Sequence, residues 1–227
     1  MPEDVTDTTR RRRPGRPRVS ESPLTRQAIL TAALALVDEQ GIEALSMRRL
    51  AAALKVDPMS IYYHVPNKAA LVSGLVQTVF SEMALPAPGG SWPVQVRAWA
   101  RAYRNLALAH PNLVLQIVTD AAAVSEAAIL VSEPLYAALD SAGLGARAVV
   151  DSANTLIDFV NGYALALAEG ATSTSPSAGV GSMGERLAAM DPDQVPTMCQ
   201  VHDALKDEQA TSSGFEAGLD IIIRGIS

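Results

Sequence analysis

Six arginines, Arg10, Arg11, Arg12, Arg13, Arg16 and Arg18, crowd into nine residues interrupted by Pro14, Gly15 and Pro17. Proline fixes φ and removes an amide donor, so this stretch does not form a helix and is expected to be a flexible arm when free. Guanidinium groups on such an arm suit the negative potential of a narrow, A·T-rich minor groove, although the run alone also fits a solvated tail. A second set of donors and aromatic tips follows: Arg48 and Arg49, then Met59, Ser60, Tyr62, Tyr63 and His64, then Lys68. These groups offer recognition chemistry, namely hydrogen bonds and apolar contact to base edges and ion pairs to phosphate. Catalysis is not indicated. The 3 histidines stand apart at positions 64, 110 and 202, and no nucleophile, base and orienting group or H-x-x-x-H pair emerges. The reading is therefore not an enzyme, with no metal and no cofactor. The lone Cys199 forms no internal disulfide and fits a reducing compartment, so the cytoplasm is expected.

Charge is divided along the chain. The net charge of -6 combines eleven Lys/Arg against five Asp/Glu in residues 10–68 with seven against sixteen in residues 81–227. Only the first part suits a polyanion, and counterion release depends on local cation density, not on the whole-chain sum. With 227 residues, 48% of them hydrophobic, the chain is long enough for one or two domains with buried cores. Its longest uncharged apolar stretch, Phe159 to Ala168, is too short to span a bilayer and contains Asn161 and Gly162. The arginine run is not followed by an apolar segment, so no secretory signal is expected.

Three short helices must position the second set of groups. Ile29, Ala32, Ala33, Leu36 and Val37 form one stripe of a helix over about 25–40, ended by Gly41. Ser46 is an N-cap for a helix over roughly 47–54, with Met47, Leu50, Ala51 and Leu54 inward and Arg48 and Arg49 outward. Lys55-Val56-Asp57 forms a turn, and Pro58 suits the first position of a third helix anchored by Ile61 and Val65. This is a helix-turn-helix arrangement, whose latter helix enters the major groove. Asn67 caps a fourth helix running through Leu71, Leu75, Val79 and Met83, where Lys68 and the free N–H groups of the helix start would meet phosphate.

Leu24 to Leu71, reading LTRQAILTAALALVDEQGIEALSMRRLAAALKVDPMSIYYHVPNKAAL, resembles the DNA-binding domain of the TetR family of bacterial repressors. The resemblance implies a homodimer of all-α subunits that binds a palindromic operator and releases it when a small molecule fills the C-terminal domain. It implies that Arg48 reaches a guanine edge, that Pro58, Met59, Ser60 and Tyr62 lie in the groove, and that Tyr63, His64 and Lys68 grip phosphates. Tyr62 also suits a core role, and His64 an ordinary surface or capping role. Lys55 departs from the pattern, since relatives usually place glycine there, and mild strain is expected if the turn needs a left-handed residue.

The organisation expected is a disordered basic arm (1–23), a helix-turn-helix domain (24–71, with its fourth helix to about 84) and a ligand-binding and dimerisation domain (92–227). After the Pro/Gly-rich break from Pro86 to Pro93, Trp92, Val96, Trp99, Tyr103 and Leu106 recur at helical spacing. Further helices are expected at about 112–119, 124–142, 146–169 and 214–226, with no alternating strand, which makes the fold all-α. Apolar residues surround most of the 146–169 helix, so a partner chain is expected to cover one stripe. The last segment, with Gly218 and Gly225, resembles the final helix of the tetracycline-repressor branch. That likeness implies a four-helix bundle in a homodimer through 146–169 and 214–226, with recognition helices ~34 Å apart. Residues 170–184 have a loop composition and are expected to be weakly ordered. Trp99, Tyr103, Ile117, Phe159 and Tyr163 are candidate pocket walls, each also suited to plain core packing. His110 and His202 match no ligand of a metal-chelated tetracycline, so an apolar or aromatic effector of unknown identity is expected. The alternative is an effector-independent DNA-binding or architectural regulator.

Overall fold

In the computed structural model, which describes residues 23–85, 87, 89–113, 126–168, 184–205 and 214–226, the first four helices each begin at a side chain that accepts an otherwise orphaned amide. The Thr25 hydroxyl accepts from Ala28 N–H at 3.1 Å and opens α1 (Arg26–Gln40). Ser46 accepts from Arg49 ahead of α2 (Met47–Leu54), Asp57 from Met59 ahead of α3 (Pro58–His64), and Asn67 from Ala70 ahead of α4 (Lys68–Ser81). Each such cap is worth ~1 kcal/mol, so the boundaries of these short helices are set locally.

The turn between α2 and α3 carries the strain that its residue type implies. Lys55 lies in the left-handed region (φ 56, ψ 39), the one non-glycine residue with positive φ among those described. Its amide reaches the Ala52 carbonyl and the Val56 amide reaches that of Ala51, the paired bonds of a Schellman ending. Behind the turn, Ile29, Leu30, Ala33, Leu34 and Val37 are buried on α1 against Leu50, Ile61, Val65, Leu71 and Leu75. The buried stripe of α1 is rotated from the one the spacing suggests, with Leu30 and Leu34 inward and Ala32 and Leu36 at the margin. The rotation follows from α4, which approaches α1 so closely at Gly74 that a Cβ there would lie 2.7 Å from Leu30.

The remaining elements are α5 (Trp92–Ala109), α6 (Glu126–Asp140), α7 (Ala146–Ala168), α8 (Pro196–Leu205) and α9 (Gly214–Gly225). Every regular element among the described residues is helical, and the fold is all-α. Helix α5 packs against both α6 and α7, α6 also touches α4, and α9 lies along α7. Phe215 of α9 is fully buried against Phe159, and α9 comes near enough at Gly218 that a Cβ would sit 2.6 Å from that ring. Two arginines of α5 bind α9 as well: Arg101 donates twice to Glu216 at 2.9 Å, and Arg97 pairs with Asp220.

Three outcomes differ from the sequence reading or fall beyond the described residues. Helix α8 was not anticipated; its signal is Pro196 at the first position followed by Met198, Val201 and Leu205, which share one exposed stripe. Much of the apolar surface of α7 is buried within the chain itself, by α5, α6 and α9, so that the exposed stripe of α7 is mainly polar apart from Val150. Of the helix expected at 112–119 only its start is described; of the arm expected at 1–23 and the loop expected at 170–184, residues 1–22 and 170–183 lie outside the described residues, while Gly184 is helical.

Candidate nucleic-acid interface and effector cavity

The side chains expected to meet DNA separate by exposure. Met59 is 72% exposed, Tyr63 88% and Tyr62 42%, and Arg48, Ser60 and Lys68 are exposed too, whereas Pro58 and His64 are half-buried. Large apolar and aromatic groups left in solvent on a two-turn helix contribute nothing to its packing, which rests on Ile61 alone among α3 residues. Arg48 makes no hydrogen bond or ion pair among the described residues, while its neighbour Arg49 is tied to the Gln40 amide oxygen and the Ala44 carbonyl. Arg48 is therefore the free donor of α2 and Arg49 a strut between α2 and the end of α1. Tyr63 stands edge-on to His64, ring centroids 5.3 Å apart. Lys68 is in the first turn of α4, beside the amides that the Asn67 cap leaves unpaired. Arg16 and Arg18 lie outside the described residues.

A cavity of about 440 Å³ opens among α4, α5, α6 and α7. Its aromatic walls are Phe80, Trp99, Tyr103 and Tyr136. The Tyr103 and Phe80 rings are stacked at 6.3 Å, and Trp99 lies 5.2 Å from Tyr103. The Trp99 indole N–H is committed to the Val131 carbonyl of α6 at 2.6 Å, so Trp99 has no donor left for a ligand. The deep polar group is a buried pair in which the Tyr103 hydroxyl donates to Asn161 Oδ1 at 2.7 Å. Burial pushes the Tyr103 phenol from 10.0 up to about 12, with the Asn161 hydrogen bond opposing the shift and the Asp158 charge adding to it. Tyr103 thus remains a neutral donor throughout the physiological range.

Of the residues expected to line a pocket, Trp99 and Tyr103 do so, and Ile117 lies outside the described residues. Phe159 and Tyr163 are not among the lining groups of this cavity: they form a separate cluster with Phe215, beneath the Arg104 guanidinium, which lies 4.9 Å from the Phe215 ring and 5.4 Å from that of Tyr163. The buried Arg104 Nε has no hydrogen-bond acceptor among the described residues, and the ring faces take its charge instead. At ~100° per residue, positions 159 and 163 are turned about 200° from 157 and 161, and it is Ile157 and Asn161 that α7 presents to the cavity. Among the lining groups that sequence reasoning missed are Phe80, the α6 residues Ser132, Glu133 and Tyr136, and Ile157 and Asn161 of α7. Asn161 had a signal, being an amide within an apolar helix, where a buried polar group needs a partner.

The two sites are joined by α4 and by the end of α5. Helix α4 carries Lys68 at its start and Phe80 in the cavity wall, about 18 Å apart along the axis. Just beyond α5, His110 Nδ1 lies 3.0 Å from Asp38 of α1, and its Nε2 lies 3.5 Å from Glu82 after α4. Asn112 donates to the Val37 and Asp38 carbonyls at 3.0 and 3.2 Å, closing the end of α1. No cluster of three His, Cys, Asp or Glu among the described residues is arranged to hold a metal. Nor is any helix there long and apolar enough to cross a membrane.

Comparison with known proteins agrees with both halves of this geometry. Residues 29–75 match the family model described as bacterial regulatory proteins, tetR family, and residues 85–227 match the tetracyclin repressor-like, C-terminal domain. The chain belongs to the TetR family, whose members are ligand-responsive DNA-binding regulators. It is 34% identical over 140 residues to an HTH-type transcriptional regulator of Saccharopolyspora erythraea, covering 61% of this chain and 59% of the relative. It is 36% identical over 88 residues to the class D tetracycline repressor protein of Escherichia coli, covering 37% and 40%. The chain thus spans less than two thirds of the length of these curated relatives. Among solved structures, apo ActR from Streptomyces coelicolor superposes with a TM-score of 0.73 at 29% identity, covering 91% of this chain and 96% of ActR. ActR has also been solved in complex with actinorhodin.

Proposed function

We propose that this protein is a transcriptional repressor that binds a palindromic operator as a homodimer and leaves it when a small molecule occupies the cavity. The observation that carries the reading is Phe80. It is part of the cavity wall and of the same rigid helix whose first turn holds Lys68 next to α3, so a ligand that displaces Phe80 tilts the DNA-contacting end. In this reading Arg48 reads a guanine, Pro58, Met59, Ser60 and Tyr62 lie in the major groove, and Tyr63, His64 and Lys68 hold phosphates. Arg16 and Arg18 of the arm enter the minor groove. The dimer forms through α7 and α9, where Val150 and the 66%-exposed Ile221 await a partner. Trp99 and Tyr103 contact the effector, together with Tyr136 and Asn161, and no metal takes part. The protein acts in the cytoplasm, where its operator is.

The test is fluorescence anisotropy on a duplex selected from a random pool, repeated across a panel of planar aromatic compounds. A ligand that binds the protein is expected to weaken the operator complex 5–150-fold, a coupling of ~1–3 kcal/mol. Operator affinity indifferent to every compound that binds would overturn the ligand-release mechanism and favour the effector-independent regulator.

A further inference from the structure

We infer that the effector is a planar aromatic cation, its rings held among the aromatic walls, an acceptor atom facing the Asn161 amide, and a protonated amine paired with Glu133. The inference rests on the cavity being the effector site and adds the charge of the ligand.

Three observations carry it. Four aromatic side chains line the cavity and Trp99 has already spent its N–H on Val131, so the walls favour an apolar ring system that packs against them. Asn161 has its oxygen occupied by the Tyr103 hydroxyl, which leaves the amide nitrogen as the donor at the buried end and calls for a carbonyl or similar acceptor there. Glu133 is the charged residue among the described lining groups; it is exposed, hence at the rim, and it forms no ion pair among the described residues.

The surrounding field has the same sign. The charge of Asp158 on α7 adds to the upward shift of the Tyr103 phenol, after burial as its main cause. The cations of α5 are all engaged away from the cavity: Arg97 and Arg101 with carboxylates of α9, and Arg104 with the faces of Tyr163 and Phe215. Nothing among these offsets Glu133, and an acidic rim over a low-dielectric cavity concentrates cations. A carboxylate ligand would meet both Glu133 and the field of Asp158 with no cation to receive it.

The experiment uses three anthraquinones that share one ring system and differ only in a short side chain ending in an amine, a hydroxyl or a carboxylate. Binding to the full chain is measured by calorimetry without DNA, because planar cations also enter duplexes. The amine is expected to bind roughly threefold to fivefold more tightly than the alcohol, the margin of one partly exposed ion pair, and the carboxylate most weakly. Glu133→Gln is expected to erase the amine's advantage over the alcohol, and added salt to narrow that advantage in the parent alone. A thermal melt verifies that the variant is folded. Equal affinity for all three, a preference for the carboxylate, or an amine advantage that survives E133Q overturns the charge assignment. If operator release by the bound compounds persists, the cavity's role as effector site stands regardless. Failure of all three to bind, with operator affinity unaffected, overturns both.

Discussion

Tyr103 illustrates how a single residue joins stability and recognition in this cavity. Its phenol is buried, donates to Asn161 and is pushed up to about 12, above its ordinary value of 10.0. A group whose pKa is higher in the folded state stabilises the fold fully below its unfolded value and loses that contribution as pH rises through the folded one. Stability is therefore expected to fall between about pH 10 and 12 by up to roughly 2–3 kcal/mol. Urea midpoints measured across that range check this: Tyr103→Phe, though less stable at neutral pH, is expected to lack this part of the decline, and an unchanged slope would contradict the assignment. At the DNA face, Arg48→Ala is expected to cost ~1–3 kcal/mol of discrimination at one base pair. Lys68→Ala is expected to weaken all sequences alike and to lower the salt slope by about one. Titrations of operator variants at several salt concentrations separate the two effects. The exposure of Arg48 and Tyr63 was legible because a short helix cannot bury every large side chain. Glu133 was not, since nothing local distinguishes a rim carboxylate from any other solvated acid.

At the scale of the element, helix α4 packs against its neighbours and, in the proposed mechanism, carries cavity occupancy to the DNA face. Gly74 lets it lie close on α1, Phe80 places it in the cavity wall, and Glu82 just after it meets His110 at the end of α5. Replacing Phe80 by leucine keeps the site apolar but removes the ring that stacks on Tyr103. The ratio of operator affinities with and without effector is expected to shrink by ~0.5–2 kcal/mol, the range seen for residues along a coupling route. A ratio equal to that of the parent would place the coupling elsewhere, in the His110 junction first. Element boundaries in this half of the chain were readable because Ser46, Pro58 and Asn67 are local signals that act within one turn. Which face of α7 meets which neighbour was not: periodicity assigns Phe159 and Tyr163 to one stripe and Ile157 and Asn161 to another. Only the approach of α5, α6 and α9 decides that the second faces the cavity.

For the whole molecule, the division of charge seen in the sequence follows the division of the structure. The basic segment leads into exposed α2 and α3 groups, and the acidic segment encloses an aromatic cavity with Glu133 at its rim. The all-α fold was readable from helical spacing alone. Its pairing into a dimer was suggested by the apolar excess of the 146–169 segment, yet much of that excess is satisfied within one chain. On α7 and α9 the exposed large apolar residues are Val150 and Ile221, which the proposed dimer would cover. The most direct test of the account is the sequence and stoichiometry of DNA recovered by the full-length protein from a random duplex pool. The account predicts an inverted repeat whose half-site centres lie about one helical turn, ~34 Å, apart, bound by two copies of the chain and lost with Arg48→Ala. A single unrepeated site occupied by one chain, or no enrichment at low salt, would contradict it.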